Sequence, residues 1–341
     1  MSVEAPAPPA DEEREAPTNP AGPLWWVTRV VGVLLLVGAL AALIARLVPV
    51  TNHALLIFSA LSPYLMFGAV LALALLVLTR KRGWTAMLAL TTIAGALCVE
   101  MPQFIGPTDP PADPCRARIL TVNLFEGRAD PYALARIARE RTDLLLLQEL
   151  TPEVAEALNR EGLGEEFPYQ AVDARPGALG VGIWSRYPLS RHSQVEGYEL
   201  GMIRASMHFP AATTETEVLV AHIAGPWPQP VDAWSREMNM LPKTLDEIAS
   251  ENWAKSIVVA GDFNSTLNMQ QFRGLLNDGY RDAAEQSGAG VVRTYPADRW
   301  YPPLIGIDHV LTRNGSADGL YTVRVPGSDH LGVGACVHLP A

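Results

Sequence analysis

Cysteine is scarce in this chain, with three residues in 341, at positions 98, 115 and 336. At most one internal disulfide can form, which excludes a fold held by a dense disulfide framework. No fixed period recurs, which excludes repeat architectures. Basic excess is missing as well: from residue 115 onward there are 20 Lys and Arg against 28 Asp and Glu, a formal charge of −8. Nonspecific duplex binding relies on a basic face, so this balance disfavours DNA. It does not exclude a nuclease, because several of the carboxylates sit in the motifs described below.

Composition divides the chain. Residues 1–23 are rich in Pro, Ala and Glu and cannot bury enough apolar surface to fold, so they are expected to be disordered. Residues 24–105 are mostly apolar, and three stretches, 25–50, 55–78 and 84–105, each reach the roughly 20 residues that a membrane crossing needs. Trp25, Trp26 and Arg29 suit an interface, and Arg46 can snorkel at the far end. The competing reading is a buried helical bundle, but soluble cores rarely carry three such stretches in succession. Glu100 is the one carboxylate among them, which argues against a transport pathway. The Arg80-Lys81-Arg82 loop is the densest basic cluster near any span. Positive loops stay in the cytoplasm. The N-terminus is then cytoplasmic and everything after the third span extracellular. Residues 106–114 form a Pro-rich tether to a soluble domain at 115–341.

That domain alternates strands, helices and turns. Residues 118–123 and the all-apolar run 144–147 read as strands, the latter buried and central. Asp130-Pro131 and Thr151-Pro152 open helices. Residues 181–184, 203–207, 218–223 and 257–260 read as strands, 231–250 and 269–276 as helices, and 307–311, 320–325 and 334–339 as closing strands.

Polar residues stand where these runs end. They lie in Thr121-Val122-Asn123-Leu124, Leu147-Gln148-Glu149-Leu150, Gly261-Asp262-Phe263-Asn264, Ile307-Asp308-His309-Val310 and Ser328-Asp329-His330. Asp, Glu and Asn oxygens suit a hard cation, and an Asp-His pair suits proton transfer. Asp262 and Asn264, two apart in an extended segment, are expected to point to one side. His309, next to Asp308 in a strand, points the other way and is as well explained by a structural role.

In this order the five segments resemble the endonuclease/exonuclease/phosphatase superfamily, over roughly two thirds of the chain. The resemblance implies a four-layer α/β sandwich, two packed mixed sheets flanked by helices, here preceded by three transmembrane helices. It implies Mg²⁺ or Mn²⁺ held by Glu149, Asn123 and Asp329. It implies that Asp262 orients or deprotonates the attacking water, that Asn264 holds a phosphate oxygen, and that Asp308 supports His330, which acts as base or as cationic phosphate stabiliser. His222 resembles the family's second histidine, facing phosphate or leaving group. Some family nucleases carry an acid two positions after the motif Asn; Phe125 stands there, which puts a two-metal arrangement in doubt. The implied substrate is a phosphate ester of a lipid headgroup, a nucleic acid or a small molecule, with the bilayer as partner through residues 24–105 and no protein partner. A degenerate domain serving as a binding module is the alternative. The family's antiparallel pairing of first and last strands also implies a Cys115–Cys336 disulfide. Because the tether enters the first strand at its start, opposite Asn123, the site is expected to face away from, or sideways to, the membrane.

Overall fold

The computed structural model describes residues 23–79, 83–106, 115–210, 212, 214–251 and 256–340. The expectations for the tail before Pro23, for the Arg80-Lys81-Arg82 loop and for residues 107–114 lie outside the described residues.

The chain opens with α1 (Pro23–Leu47), α2 (His53–Ala60), α3 (Ser62–Leu78) and α4 (Gly83–Glu100). Their seams use small side chains. Ala39 and Ala42 of α1 and Ala69 and Ala72 of α3 are fully buried, and a Cβ on Gly32 would stand 3.2 Å from Leu76 Cγ. Small residues let helix backbones approach closely in a bilayer. Trp25 Nε1 donates to the Thr79 carbonyl at 3.1 Å, and Arg46 meets Glu100 at 3.0 Å. The start of α1 thus adjoins the end of α3, while the ends of α1 and α4 lie together.

Two stretches are long and apolar enough to cross a membrane, α1 and residues 83–104. The stretch expected to be one span at 55–78 is broken: α2 and α3 form a pair bent by 69°. Pro63 sits in the first turn of α3, where its missing N–H is tolerated and where a continuous helix from α2 would be interrupted.

The remaining elements are β1 (Cys115–Asn123), α5 (Pro131–Arg141), β2 (Leu144–Gln148), α6 (Pro152–Arg160), α7 (Leu163–Glu166), β3 (Tyr169–Asp173), β4 (Val181–Ser185), β5 (Leu189–Gln194), β6 (Ile203–Met207) and β7 (Thr216–His222). They continue with α8 (Asp232–Glu251), β8 (Ile257–Asp262), α9 (Gln270–Leu275), β9 (Arg281–Asp282), α10 (Ala283–Ser287), β10 (Asp308–Arg313), β11 (Ser316–Arg324) and β12 (Leu331–His338). One mixed sheet runs β11-β12-β1-β2-β4-β3 and the other β5-β6-β7-β8-β10-β9.

Alternation along the strands builds three cores. Ile119, Leu144, Leu146, Val218, Val220 and Val258 fill the space between the sheets. Their neighbours Leu120, Leu145 and Leu147 face outward onto α5 and α6, and Leu219 and Val259 face outward onto α8. Two sheets with helices on both outer faces give the four layers. The third core has guests from the N-terminal helical region: Val50 and Leu56 are buried in it.

The N-terminal helices also touch the site end of the domain. Val50 exchanges two backbone hydrogen bonds with the Gln271 amide, at 3.1 and 3.0 Å. His53 Nε2 meets the carbonyls of Pro226 and Gln229 at 3.1 and 2.9 Å, and the Tyr64 hydroxyl donates to the Leu304 carbonyl at 2.7 Å. Residues 226–229 and 304 belong to loops following β7 and preceding β10, and Gln271 to α9, which follows β8; all lie at the end of the sheet that carries the site. A nine-residue tether limits distance only, to about 30 Å at full extension. Packing sets the direction, and it brings the rim of the site against α2 and the start of α3.

At the far end, Cys115 and Cys336 are joined by a disulfide, with Cα atoms 5.7 Å apart. The ladder pairs Arg118 with Cys336 and Cys115 with His338, with an irregularity between Cys115 and Ala117, so the bond crosses diagonally.

Candidate active site

Strand register gathers the polar groups. The parallel pair β1–β2 sets Asn123 beside Gln148, so Asn123 and Glu149 leave the sheet side by side. The parallel pair β7–β8 sets His222 beside Asp262, and the antiparallel pair β8–β10 sets Asp308 on its other side. Asp329 and His330 arrive immediately before β12, next to β1. Gly261 is required by this arrangement. Its φ is 151°, and a Cβ there would lie 1.9 Å from the Ala221 carbonyl oxygen.

The amide nitrogen of Asn123 bridges two carboxylates, donating to Glu149 Oε1 and to Asp262 Oδ2, each at 3.0 Å. Its oxygen accepts from the Phe125 N–H at 2.9 Å. The other Glu149 oxygen accepts from the Glu126 N–H at 2.5 Å. His330 Nδ1 lies 2.9 Å from Asp308 Oδ2, and its Nε2 lies 3.8 Å from Asp262 Oδ2 and 3.9 Å from Asp329 Oδ1. His222 Nε2 stands 3.9 Å from Glu149 Oε1. All eight residues expected at the site therefore converge.

One expectation reaches its result by another route. Asp262 and Asn264 do not converge by strand alternation, because Asn264 is left-handed, with φ 46°. Its N–H instead donates to Asp262 Oδ1 at 2.7 Å, closing an Asx-type turn, and its amide nitrogen donates to the Ile223 carbonyl at 2.9 Å. Glu149 is left-handed too, with φ 57°. Non-glycine residues held there store strain that tends to collect at functional sites. Phe263 is buried against Phe272 as its place between two polar residues requires.

Burial and mutual charge set the protonation states. Burial raises the Asp262 carboxyl to about 7, against the lowering effect of the His330 charge. Asp329 is raised to about 6, first by burial and further by the Glu149 charge. Burial opposes a charge on His330, but Asp308 and Asp262 outweigh it and carry the imidazole to about 10. His222 is lowered to about 3 by burial and by the charge of His330, so it is neutral. Three carboxylates, of Asp262, Asp308 and Asp329, thus crowd one imidazolium. Oδ1 of Asp308 is buried without a hydrogen-bond partner. Ligand atoms of Asp262, Asp308 and His330 all lie within 4.8 Å of one another. With the adjoining carboxylates of Glu149 and Asp329, this end of the sheets offers the oxygen-rich, anionic donors that fit a hard divalent cation. A second group of possible ligands, Asp318, Cys336 and His338, has its sulfur in the disulfide.

Supporting residues carried no local signal in the sequence. Ser328 Oγ donates to the Asn123 carbonyl at 2.7 Å and accepts from the His330 N–H at 3.0 Å, clamping the two segments together. Thr121 and Gln148 hydrogen-bond beneath the site. The Tyr295 ring lies 4.9 Å from the His330 ring. Ser328, Thr121 and Gln148 at least stand inside the motifs read from the sequence, whereas Tyr295 lies outside all of them. His309 faces the opposite way, held by Asp282 at 2.8 Å and the Ser265 carbonyl at 2.9 Å, and is structural.

Two six-stranded mixed sheets with carboxylates, amides and imidazoles at one end define a DNase I-like α/β sandwich with a hydrolase-type site. The family model described as Endonuclease/Exonuclease/phosphatase family matches residues 120–330, and the chain belongs to that family. Its members are typically metal-dependent hydrolases of phosphoesters. No curated protein matches the chain in sequence. Among solved structures it is similar to TDP2 of D. rerio complexed with a single-strand DNA product, at 16% identity and a TM-score of 0.54, covering 65% of this chain and 98% of that one. It is also similar to a functionally unknown conserved protein from Enterococcus faecalis, at 15% identity and a TM-score of 0.52, covering 64% and 98%. At these identities the likeness concerns the fold.

Proposed function

We propose that the chain is a membrane-anchored phosphoesterase, dependent on Mg²⁺ or Mn²⁺, that hydrolyses a phosphate mono- or diester. The observation that carries this reading is the convergence of Asn123, Glu149, Asp262, Asn264, Asp308 and His330 at the sheet ends, in a bonded network that Ser328 closes between Asn123 and His330. Glu149 and Asp329 would hold the cation, with Asn123 beside them. When bound, the cation polarises a phosphoryl oxygen and offsets developing negative charge.

The chain's own groups do the remaining work. Asp262 orients the attacking water and takes its proton. The water oxygen bonds to phosphorus, and the ester P–O bond breaks with its electron pair on the leaving oxygen, which takes up a proton from solvent. His330, held as a cation by Asp308, faces the charge that accumulates on the phosphoryl oxygens. Asn264 and neutral His222 donate hydrogen bonds to the phosphate.

Residues 24–105 anchor the domain in the bilayer. α1, α3 and α4 make three crossings, α3 being about 26 Å long at 1.5 Å per residue. The basic loop at 80–82 supports a cytoplasmic N-terminus and an extracellular domain at 115–341.

The test is hydrolysis of bis-p-nitrophenyl phosphate by the full-length protein in detergent, with and without Mg²⁺ or Mn²⁺. Turnover is expected to vanish in excess EDTA and to return with either ion. Full turnover in EDTA, or wild-type turnover by Glu149→Gln and Asp262→Asn, would overturn the proposal.

A further inference from the structure

An apolar groove of about 260 Å³ lies between α2 and the rim of the site. Leu56 and Ile57 of α2 form one wall, and Trp227, Met269, Leu304 and Ile307 face them. Among the described residues, no Lys, Arg, Asp or Glu lines it. Its floor is shared with the catalytic site. Asn264, bonded to Asp262, lines the groove, and so does Tyr295, whose ring packs on His330. A phosphate held at Asn264 therefore has an uncharged, apolar channel beside it.

The other end leads to the membrane segment. α2 is continuous in sequence with α3 across the 69° bend, and Tyr64 in the first turns of α3 is bonded to Leu304 in the facing wall. The mouth carries exposed apolar side chains: Trp227 is 62% exposed and Ile57 44%. Indole rings at this level belong to the membrane–water interface. A groove with one end at a catalytic amide and the other at bilayer depth suits a molecule that is polar at one end and hydrocarbon beyond it.

The geometry points to a membrane phospholipid as the substrate, its phosphodiester at Asn264 and His330 and the start of its hydrocarbon portion in the α2 groove. This rests on the phosphoesterase reading above and narrows its substrate class. The groove takes only the part of the lipid next to the phosphate, while the chains remain in the bilayer. α2 is thereby a substrate-binding element contributed by the membrane segment.

The experiment uses full-length protein in proteoliposomes containing phosphatidylglycerol, phosphatidylethanolamine and phosphatidylcholine, with Mg²⁺ or Mn²⁺. Lipid hydrolysis is compared with that of glycerophosphocholine, which keeps a phosphodiester headgroup but has no acyl chain, and with bis-p-nitrophenyl phosphate. Lipid is expected to be cleaved, glycerophosphocholine far more slowly. Ile57→Asp and, separately, Leu304→Asn should reduce lipid turnover about tenfold or more, the size of effect expected from losing one buried apolar contact. Their turnover of bis-p-nitrophenyl phosphate should stay within about twofold, which also reports that the site is folded. Cleavage of the small ester with no lipid cleavage would overturn this inference and leave the phosphoesterase reading standing. So would equal loss on both substrates in the two variants, or cleavage of single-stranded DNA in place of lipid. Loss of all hydrolysis in the wild type would sink both.

Discussion

The backbone N–H of Asn264 donates to Oδ1 of Asp262 at 2.7 Å, while Asn264 itself holds a φ of 46°. The turn fixes the carboxylate and swings the Asn264 amide back toward the same point. Position and strain are therefore two aspects of one feature, and a substitution can separate them.

Asn264→Gly accepts the left-handed backbone without strain but lacks the amide. Stability is expected to stay within about 1 kcal/mol of wild type, because relief of strain offsets the lost bond to Ile223. Turnover is expected to fall by about 100-fold or more, the scale of removing one preorganised donor. Thermal unfolding and steady-state kinetics on the same preparation check both halves.

Asp262→Asn keeps shape and removes the proton acceptor. Its expected loss is about 10²–10⁴-fold in kcat. Circular dichroism should be unchanged, since Asn at this position still accepts from Asn264.

His309 supplies a pH dependence of stability. Burial alone would lower its pKa, but the Asp282 charge and hydrogen bond and the Ser265 carbonyl raise it above the ordinary value of 6.5. A raised folded-state value means the contribution is complete below the unfolded value and fades as pH rises through the folded one. The wild-type melting temperature should therefore drop on going alkaline from about pH 6.5. His309→Gln should melt lower at pH 6 and lose that part of the slope, as melting curves between pH 6 and pH 9 will reveal.

Reduction of Cys115–Cys336 should lower the melting temperature without altering the site, which lies at the opposite end of β1. The chain-entropy cost of a loop of this size is up to roughly 5 kcal/mol. Only Cys98 is a free cysteine, so one thiol should react with maleimide in the denatured, unreduced protein. Three reactive thiols would contradict the bond.

A reporter active only in the cytoplasm, fused after Ala341, should be silent if the domain lies outside. A strong signal would mean an even number of crossings.

The cores and the site were legible in the sequence to different depths. Runs such as 144–147 and 257–260 announce buried strands because a strand covered on both faces needs no polar alternation. Asn123, Glu149, Asp262, Asp308 and His330 were visible because polar residues interrupt those runs where a sheet ends. The break at Leu61–Pro63 was less so: hydropathy averages over a window, and an apolar α2 reads the same whether it crosses a bilayer or lies against a domain. The docking of Val50 and His53 onto loops more than 170 residues away has no local signature at all. Tyr295 is similar, since its place beside His330 depends on a hairpin closed by its pairing with Ile305.

The bond from Cys115 to Cys336 also decides what a protease can release. Every catalytic residue named here lies between those two cysteines in sequence. A single cut anywhere in that interval leaves the fragment bearing His330 covalently attached, through Cys336 and Cys115, to the N-terminal helices. Releasing the whole domain from those helices then requires a cut before Cys115, in residues 106–114; reduction of the bond frees only a C-terminal fragment already cut within the interval. Under oxidising conditions the tether is the one place where severing the backbone sets the whole domain free.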